Sequence, residues 1–537
     1  MKKSYFFSFL FVLLIVTGVF FFGKKKGTRD MNILRIALPS DVSTLHFSSS
    51  SKGSLLNASY VITMLFEGLM RKDEKGLPQF AIAHKVDISR DKKKYTFHLK
   101  DCEWSDGVKV TAHDFEYSWK KAIDPSSKTI TPSPYYYYPI KNAKRCLLGE
   151  ALIEDVGIQV VDDKTLLVEL EYPAPYFLEI VAHPFFFPVP KHVAENNPQW
   201  AIGPGLICNG PFKLQEWKKN SRLFLVKNLC YVDQENVYLS GIDISIVPSS
   251  QTALYLFQKG ELDWTGSPFF SMSYDISHDL LNENHEDIMI SWIAINTDKY
   301  PFNNKKLRQA LSYSVNRSAI TENVFDHSAV PRMSALPHAI RLTNRGYFRD
   351  NDTELAKKCF QEALDELGLT IEQLPEIELS FIANVEYESR IVQAVQDQWR
   401  TVLGIQKVRL KPYEENVYLN HVTSGNYDLG FMCRISLISD PLFILNCFRS
   451  KSDLMNKTNW ENEEFRQLLE QSDFALGDIE RTNILIQAET LLMDEMPVIP
   501  ICSLNKRFAK NPKLKGEFVP PVPAIDFKSA FFEQCEK

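Results

Sequence analysis

Several sequence signatures of catalysis are missing from this 537-residue chain. It has no G-x-x-x-x-G-K-[ST] phosphate loop, no H-E-x-x-H pair and no G-x-S-x-G nucleophile turn. Ser49–Lys52 fits the S-x-x-K motif of penicillin-binding enzymes, but the S-D-N and K-T-G motifs that accompany it are absent. The sequence therefore predicts a protein that is not an enzyme, with a serine acyl-enzyme as a remote alternative.

Cysteine pairs at metal-binding or redox spacing are also missing. The nine cysteines are scattered, and none forms a C-x-x-C pair, which argues against zinc and thioredoxin chemistry. Export would permit disulfides, but their pairing cannot be deduced from the sequence. We predict no metal and no cofactor.

Positive charge is scarce beyond the N-terminus. The whole chain carries 61 basic and 67 acidic residues, and residues 1–30 hold six of the basic ones and one of the acidic ones. The remainder, with 61 − 6 = 55 basic and 67 − 1 = 66 acidic residues, has a formal charge of −11. Because phosphate binding needs a basic surface, nucleic acid is excluded as a partner.

Long uncharged runs are confined to one place, Ser4–Gly23, between lysine clusters. As a helix this run would span about 30 Å, the thickness of the hydrocarbon layer of a bilayer. No small-x-small cleavage site follows it, and the first cysteine is Cys102, so a lipoprotein anchor is not predicted. Residues 1–30 are thus interpreted as a signal peptide or an N-terminal membrane anchor, and the two alternatives stay open.

The most informative stretch present is residues 291–317. Trp292–Asn296 is a short apolar strand, and Asn303 and Asn304 are good helix N-caps. Leu307, Leu311 and Val315 then repeat at i, i+4, i+8, which places them on one buried helical face. Spacing alone predicts an ordinary strand–turn–helix of an α/β domain.

A second informative stretch covers residues 95–125. Tyr95–Leu99 alternates as a half-buried strand, and the following W-S-D-G turn needs a positive φ at Gly107. Thr111 opens a helix, with Asp114 placed as in a capping box. These residues predict scaffold, because none of them suggests catalysis.

The residue identities of both stretches resemble one family. I-N-T…P-F-x-[DN]…[LV]-R-x-A-[LI]…[DN]-R and Y-T-F-H-L…W-S-D-G…D-F-x-Y-S-W…D-P are similar to motifs of the OppA-like solute-binding proteins of oligopeptide ABC transporters. Further matches, in family order, run from about residue 34 to the C-terminus. The resemblance implies an α/β, two-lobed periplasmic-binding-protein fold of type II, with an extra small domain and strand hinges.

The same resemblance implies the division of the chain and its role. Domain I, the first lobe, would comprise residues 31–66, 190–288 and 503–537; domain II, the extra domain, 67–189; and domain III, the second lobe, 289–502. The protein would capture oligopeptides by lobe closure outside the cytoplasmic membrane and deliver them to the permease subunits of an importer. We expect a periplasmic monomer, with a tether to the outer face of the membrane as the alternative.

Candidate ligand-binding residues follow from the family's motifs. The first-lobe segment that pairs with the ligand backbone corresponds to Ser50, Ser51 and Lys52, and the pocket wall to Trp264 and Thr265, although Trp264 fits a hinge-side core equally well. The family's pattern G-W-x-x-D-Y-x-[DE]-P, which holds the carboxylate that binds the peptide α-amine, corresponds to residues 433–441. The candidates there are Arg434, Ile435, Ser436, Leu437 and Asp440.

This last segment departs from the family. Leu437 stands where the α-amine carboxylate is expected, and Arg434 stands near the place of the tryptophan. Either Glu415 or Asp440 binds the amine instead, or the ligand has no free amine at this point. Arg434 in the cleft would favour a ligand with an additional carboxylate, such as a murein-derived peptide; a surface ion pair is the alternative for this arginine.

Overall fold

The computed structural model describes residues 32–46, 55–127, 134–269, 283–325, 328–436, 438–453, 455–475, 477–520 and 525–533. Ser4–Gly23, Ser50–Lys52 and Leu437, for which the sequence makes predictions, lie outside these ranges. Within the described ranges, no helix has both the length and the apolar character needed to cross a bilayer.

The described strands form three main sheets. An N-terminal sheet has the order β1-β10-β9-β8, with β1 parallel to β10 and the other pairs antiparallel. Its strands are β1 (Ile33–Leu38), β8 (Phe212–Lys218), β9 (Arg222–Lys227) and β10 (Gly241–Ile246). A middle sheet has the antiparallel order β4-β5-β7-β6, formed by β4 (Ala83–Ile88), β5 (Lys94–Leu99), β6 (Ile158–Asp162) and β7 (Thr165–Glu169).

A large mixed sheet has the order β11-β17-β12-β16-β14-β15, with β13 also paired to β17. Its strands are β11 (Trp264–Gly266), β12 (Glu283–Ile295), β13 (Ala329–Pro331), β14 (Ile377–Ile382), β15 (Val408–Tyr413), β16 (Leu429–Ile435) and β17 (Val498–Lys510). Two small two-stranded sheets are made by β2 (Met70–Lys72) with β3 (Pro78–Phe80) and by β18 (Leu514–Lys515) with β19 (Phe531–Phe532).

Helices cover the sheets. Six of the described helices belong to the first half of the chain: α1 (Leu55–Leu65), α2 (Ala112–Ile123), α3 (Ala143–Leu147), α4 (Phe177–Val181), α5 (Lys191–Ala194) and α6 (Ser250–Gln258). The second half contributes α7 (Lys305–Tyr313), α8 (Arg317–Phe325), α9 (Thr353–Leu367), α10 (Glu386–Leu403), α11 (Glu415–Thr423), α12 (Leu442–Leu445), α13 (Glu463–Phe474) and α14 (Asp478–Glu495).

The apolar cores define two bodies. One continuous core fills the space around the N-terminal and middle sheets, and we call this unit the N-terminal body. Two further cores lie around the large sheet, one packed with α7–α10 and the other with α11–α14, and we call this unit the C-terminal body. The division between cores follows the chain except at a few residues described below.

Two long strands connect the bodies. β12 and β17 each contain 13 residues and pair antiparallel along most of their length. The far end of β17 pairs with β11, where Phe508 stacks on Trp264 inside the N-terminal body, whereas its first residues are buried in the C-terminal body. The chain therefore enters the C-terminal body along one strand and returns along its neighbour.

The two stretches singled out in the sequence fold as predicted. Asn304 caps α7 by accepting from the N–H of Leu307 at 2.9 Å, and Leu307, Leu311 and Val315 are buried. Thr111 donates its backbone N–H to the Asp114 carboxylate at 2.8 Å, and Gly107 has φ +87°. One boundary differs: the short strand predicted at Trp292–Asn296 is the last part of the longer strand β12, Glu283–Ile295, because the ladder with β17 begins at Glu283.

Candidate functional site

Strand β16 carries the predicted binding residues to the region where the two bodies meet. It lies inside the large sheet between β12 and β14, with Arg434 opposite Ile290 and Ile435 opposite Met289. Ser436 extends the pairing, since its N–H donates to the carbonyl of Ile288 at 2.9 Å. Arg434, Ile435 and Ser436 are therefore held on a rigid strand beside one of the two connecting strands.

Arg434 is a cation with little neutralisation. Its Nη2 donates to the carbonyl of Met455 at 2.8 Å, while its Nε is buried and has no hydrogen-bond partner. Among the described residues no carboxylate lies within ion-pair distance of the guanidinium, so the surface ion pair considered from the sequence is not found there. Arg434 is half-buried, and a partly desolvated charge without a counter-ion among the described residues favours an anion beside it.

A second unpaired polar group accompanies Arg434. Tyr427 is buried, and its hydroxyl has no partner among the described residues. Burial raises the pKa of this phenol, and the positive charge of Arg434 opposes that rise. The Tyr427 hydroxyl and the Arg434 Nε are thus two polar groups that have no hydrogen-bond partner among the described residues.

The two carboxylates considered for the α-amine differ sharply. Asp440 accepts from Nη1 and Nη2 of Arg481 at 2.7 and 3.0 Å and also from the N–H of Leu442 at 2.9 Å. An ammonium group at Asp440 would have to compete with this bidentate pair. Glu415 is exposed in the first turn of α11, so its carboxylate is the more accessible of the two.

Glu415 also influences a buried neighbour. Burial raises the pKa of Glu388 to about 7, and the negative charge of Glu415 adds to the shift, while the N–H of Ile382 donates to Glu388 at 3.0 Å and opposes it. Tyr418, which donates its hydroxyl to the carbonyl of Phe431 on β16, has its pKa raised by burial and interacts with both Glu388 and Arg434. The region around Arg434 therefore contains charges of both signs that are not directly paired.

Trp264 and Thr265 lie in the N-terminal body's end of the large sheet. Trp264 is 1% exposed, its ring centroid is 4.3 Å from that of Phe508, and its Nε1–H donates to the carbonyl of Ser267 at 2.9 Å. Thr265 is also buried and pairs with Ala509. These contacts are those of the hinge-side core considered for Trp264; a role of either residue in binding stays a prediction.

One carboxylate near this region was missed in the sequence. Glu179 on α4 is 9% exposed and accepts from the backbone N–H of Ser439 at 2.6 Å and from the Lys72 ammonium at 3.2 Å. No local pattern marks it, because the three residues are far apart in the chain. Its place beside residues 436–440 is visible only once the two bodies are packed together.

The described part of the chain offers no preformed inorganic site. No group of three or more His, Cys, Asp and Glu side chains within it is arranged to hold a metal ion. No two of the eight cysteines within it are bonded to each other.

Two α/β bodies joined by paired long strands, with a half-buried arginine on one of the strands of the large sheet, have the architecture of a bilobed binding protein. Comparisons with known proteins specify the class further. Residues 78–456 match the sequence profile of the bacterial extracellular solute-binding proteins, family 5. The oligopeptide-binding protein OppA of Bacillus subtilis is 36% identical over 523 residues, which cover 95% of this chain and 94% of that protein.

Solved structures agree. The oligopeptide-binding protein OppAIV of Borrelia burgdorferi superposes with a TM-score of 0.79 at 27% identity, covering 93% of this chain and 99% of the other. The murein tripeptide binding protein MppA of Escherichia coli gives a TM-score of 0.80 at 25% identity, with coverages of 94% and 99%. The chain belongs to the bacterial extracellular solute-binding proteins, family 5.

Proposed function

We propose that this protein is the extracytoplasmic substrate-binding component of a peptide ABC importer, which captures oligopeptides between its two bodies and delivers them to the permease. The observation that carries the proposal is the match of residues 78–456 to family 5, together with relatives named for oligopeptide and murein tripeptide binding that cover 94–95% of the chain. The paired strands β12 and β17 supply the connection about which two bodies can close on a ligand. No catalytic activity forms part of the proposal.

The division into three domains is part of the same proposal. The middle sheet, at residues 83–169, falls inside the extra domain assigned to 67–189, and the cores packed around the large sheet lie mostly within 289–502. The N-terminal sheet draws its strands from 31–66 and 190–288, which supports a discontinuous first lobe.

We further propose that Arg434 selects ligands with an additional carboxylate. The support is its buried, unpartnered Nε and the absence of an ion-paired carboxylate among the described residues, together with the nearby unpaired hydroxyl of Tyr427. Backbone pairing with an extended peptide would supply affinity without regard to sequence, and the guanidinium would add charge selection. Murein-derived peptides are the candidate class, and exposed Glu415 is the candidate partner of a ligand ammonium.

Small-angle X-ray scattering tests the capture mechanism directly. The radius of gyration should fall when a tripeptide of calorimetrically proven affinity is added, because closure brings the bodies together. The matched control is a free amino-acid mixture at the same concentration, which should leave the radius unchanged. An unchanged radius with saturating tripeptide would contradict capture by closure.

The cellular location is proposed to be the periplasm, with residues 1–30 as a signal peptide or a tether. Protease added to spheroplasts should degrade the protein, whereas a cytoplasmic marker in the same sample should survive. Full protection that is lost only on lysis would place the body inside the cell and refute the proposal.

A further inference from the structure

Residues shortly after the predicted binding strand β16 pack in the N-terminal body, although β16 itself belongs to the C-terminal body. Ile438 is 2% exposed and belongs to the core of the N-terminal body, although β16 before it and α12 after it pack in the C-terminal body. An isoleucine whose environment is supplied by the other body is buried only while the two bodies are in contact. Separation of the bodies would expose it to water, which disfavours opening.

The next residue makes a polar contact across the same junction. The N–H of Ser439 donates to Glu179 Oε1 at 2.6 Å, and Glu179 is held in place by the Lys72 ammonium at 3.2 Å. A hydrogen bond to a carboxylate in a poorly solvated place is stronger than a neutral one. This contact joins the chain next to the binding strand to α4, in the segment assigned to the extra domain.

Aromatic contacts continue the junction. The ring of Phe443 stacks on that of Tyr136, with centroids 5.1 Å apart and an interplanar angle of 17°. Arg481, held by both oxygens of Asp440, lies with its guanidinium carbon 5.6 Å from the ring centroid of Tyr176. Tyr176 and Phe443 each pack against cores of both bodies.

These contacts share one short piece of chain, residues 438–443, which we call the latch segment. It is coupled to the binding strand, since Ser436 Oγ donates to the carbonyl of Ile438 at 2.5 Å. A ligand bound by Arg434–Ser436 would therefore contact a stretch of chain that is hydrogen-bonded directly to the latch segment, which places Ile438 in the core of the N-terminal body.

We propose that the latch segment is a closure device: it docks on α4 and on Tyr136 and holds the closed form chiefly through Ile438, the N–H of Ser439 and Phe443, none of which is a predicted ligand-binding residue. This inference rests on the proposed function only in requiring that the two bodies open and close. It assigns to the segment 67–189 the role of a docking surface for the second lobe.

The test uses two matched variants of the whole chain, Ile438→Ala and Ile444→Ala. Both remove the same atoms from a buried isoleucine, but Ile444 packs within the C-terminal body's own core. Hydrogen exchange of backbone amides is measured without ligand. Exchange at Ser439 should accelerate at least about fivefold in Ile438→Ala, because its N–H loses Glu179 whenever the latch segment undocks.

Two internal references make the result decisive. The N–H of Ser436, bonded within the large sheet, should stay as slow as in the unmodified protein in both variants. Ile444→Ala should lower the melting temperature yet leave exchange at Ser439 within about twofold of the unmodified protein. Equal exchange at Ser439 in Ile438→Ala and in the unmodified protein would overturn the latch.

Peptide affinity provides a second readout. Loss of a closed-state contact should weaken every peptide in a panel by a similar factor, about tenfold, without changing their order of affinity. A change confined to some peptides would mean that Ile438 contacts ligand and would overturn the latch as stated. If no peptide binds the unmodified protein, the proposed function fails, and the exchange result still decides the latch.

Discussion

Two arginines of the C-terminal body, Arg317 and Arg434, differ in their burial and in their hydrogen-bond partners. Arg317 is fully buried and donates from all three guanidinium nitrogens: to Pro500, Val315 and Ser312 carbonyls, to the Ser312 hydroxyl and to Asp350. Arg434 makes one hydrogen bond and leaves a buried Nε unpaired. The hydrogen bonds of Arg317 stabilise the fold, whereas Arg434 retains an N–H donor that no described residue accepts.

The neighbourhoods differ in the same way. Near Arg317, Arg308 is satisfied by Glu495 and by the carbonyls of Phe302 and Asn303, and Asp350 also caps α8 through the N–H groups of Arg317 and Ser318. Near Arg434, the buried Glu388 has a pKa raised to about 7. Arg449 and Arg481 also have a buried Nε without a partner, but each is ion-paired with an aspartate. Arg434 differs because no carboxylate among the described residues pairs with it, and we propose this region for ligand recognition.

The largest effect on the free energy of unfolding is expected from replacing Arg317, whose hydrogen bonds are complete. Arg317→Met should lower the free energy of unfolding by about 3–5 kcal/mol, because Asp350 and several carbonyls lose their donor inside the core. Urea denaturation measures it. A loss below about 1 kcal/mol would mean that the network around Arg317 contributes little, and the contrast between the two arginines would collapse.

An intermediate effect concerns pH. The pKa of Glu388 is higher in the folded than in the unfolded chain, so the folded state binds more protons between about pH 4.5 and 7. The contribution of Glu388 to stability is therefore present at low pH and is lost as pH rises through about 7. The contribution is at most about 3 kcal/mol. Glu388→Gln should therefore flatten the decline in stability between pH 5 and pH 8, as followed by urea denaturation.

The control for this prediction is Glu415→Gln, which removes a charge from the exposed neighbour of Glu388 and should reduce the decline only slightly. An unmodified protein whose stability rises from pH 5 to pH 8, with the same slope in Glu388→Gln, would contradict the assignment.

The smallest effect on the free energy of unfolding is expected from the same substitution, arginine to methionine, at Arg434. Arg434→Met removes one hydrogen bond together with an unpaired buried donor, and these opposing consequences should keep the change in unfolding free energy within about 1 kcal/mol. Urea denaturation beside Arg317→Met gives the comparison. A loss as large as that of Arg317→Met would show that Arg434 is scaffold.

The sequence predicts the scaffold well because short-range rules govern it. The Asn304 cap and the Thr111–Asp114 capping box follow from spacing and capping chemistry, and the structure confirms them. The order of motifs along the chain likewise predicts the two-lobed fold, which the structural comparisons confirm.

The junction between the bodies could not be predicted from the sequence. Ser439 meets Glu179 across 260 positions, and nothing around Glu179 distinguishes it from other helix residues. The Nε of Arg434 stays unpaired because the packing around it places no acceptor among the described residues within hydrogen-bond distance. Nη2 does find one, the carbonyl of Met455, which lies 21 residues away in the chain. Leu437 in place of the expected carboxylate predicts altered recognition, and this stays a prediction.

Titration calorimetry on the unmodified protein and Arg434→Ala tests the central claim most directly. Three ligands are compared: a plain tripeptide, its N-acetylated form and a murein-type tripeptide that carries an additional carboxylate. We predict that the murein-type ligand binds best and loses about tenfold to a hundredfold in affinity in Arg434→Ala, as expected for a charge-assisted contact, while the plain tripeptide changes little. Tight binding of the plain tripeptide that acetylation abolishes, with all three affinities unaffected in Arg434→Ala, would contradict the account and identify a conventional amine-anchored peptide receptor.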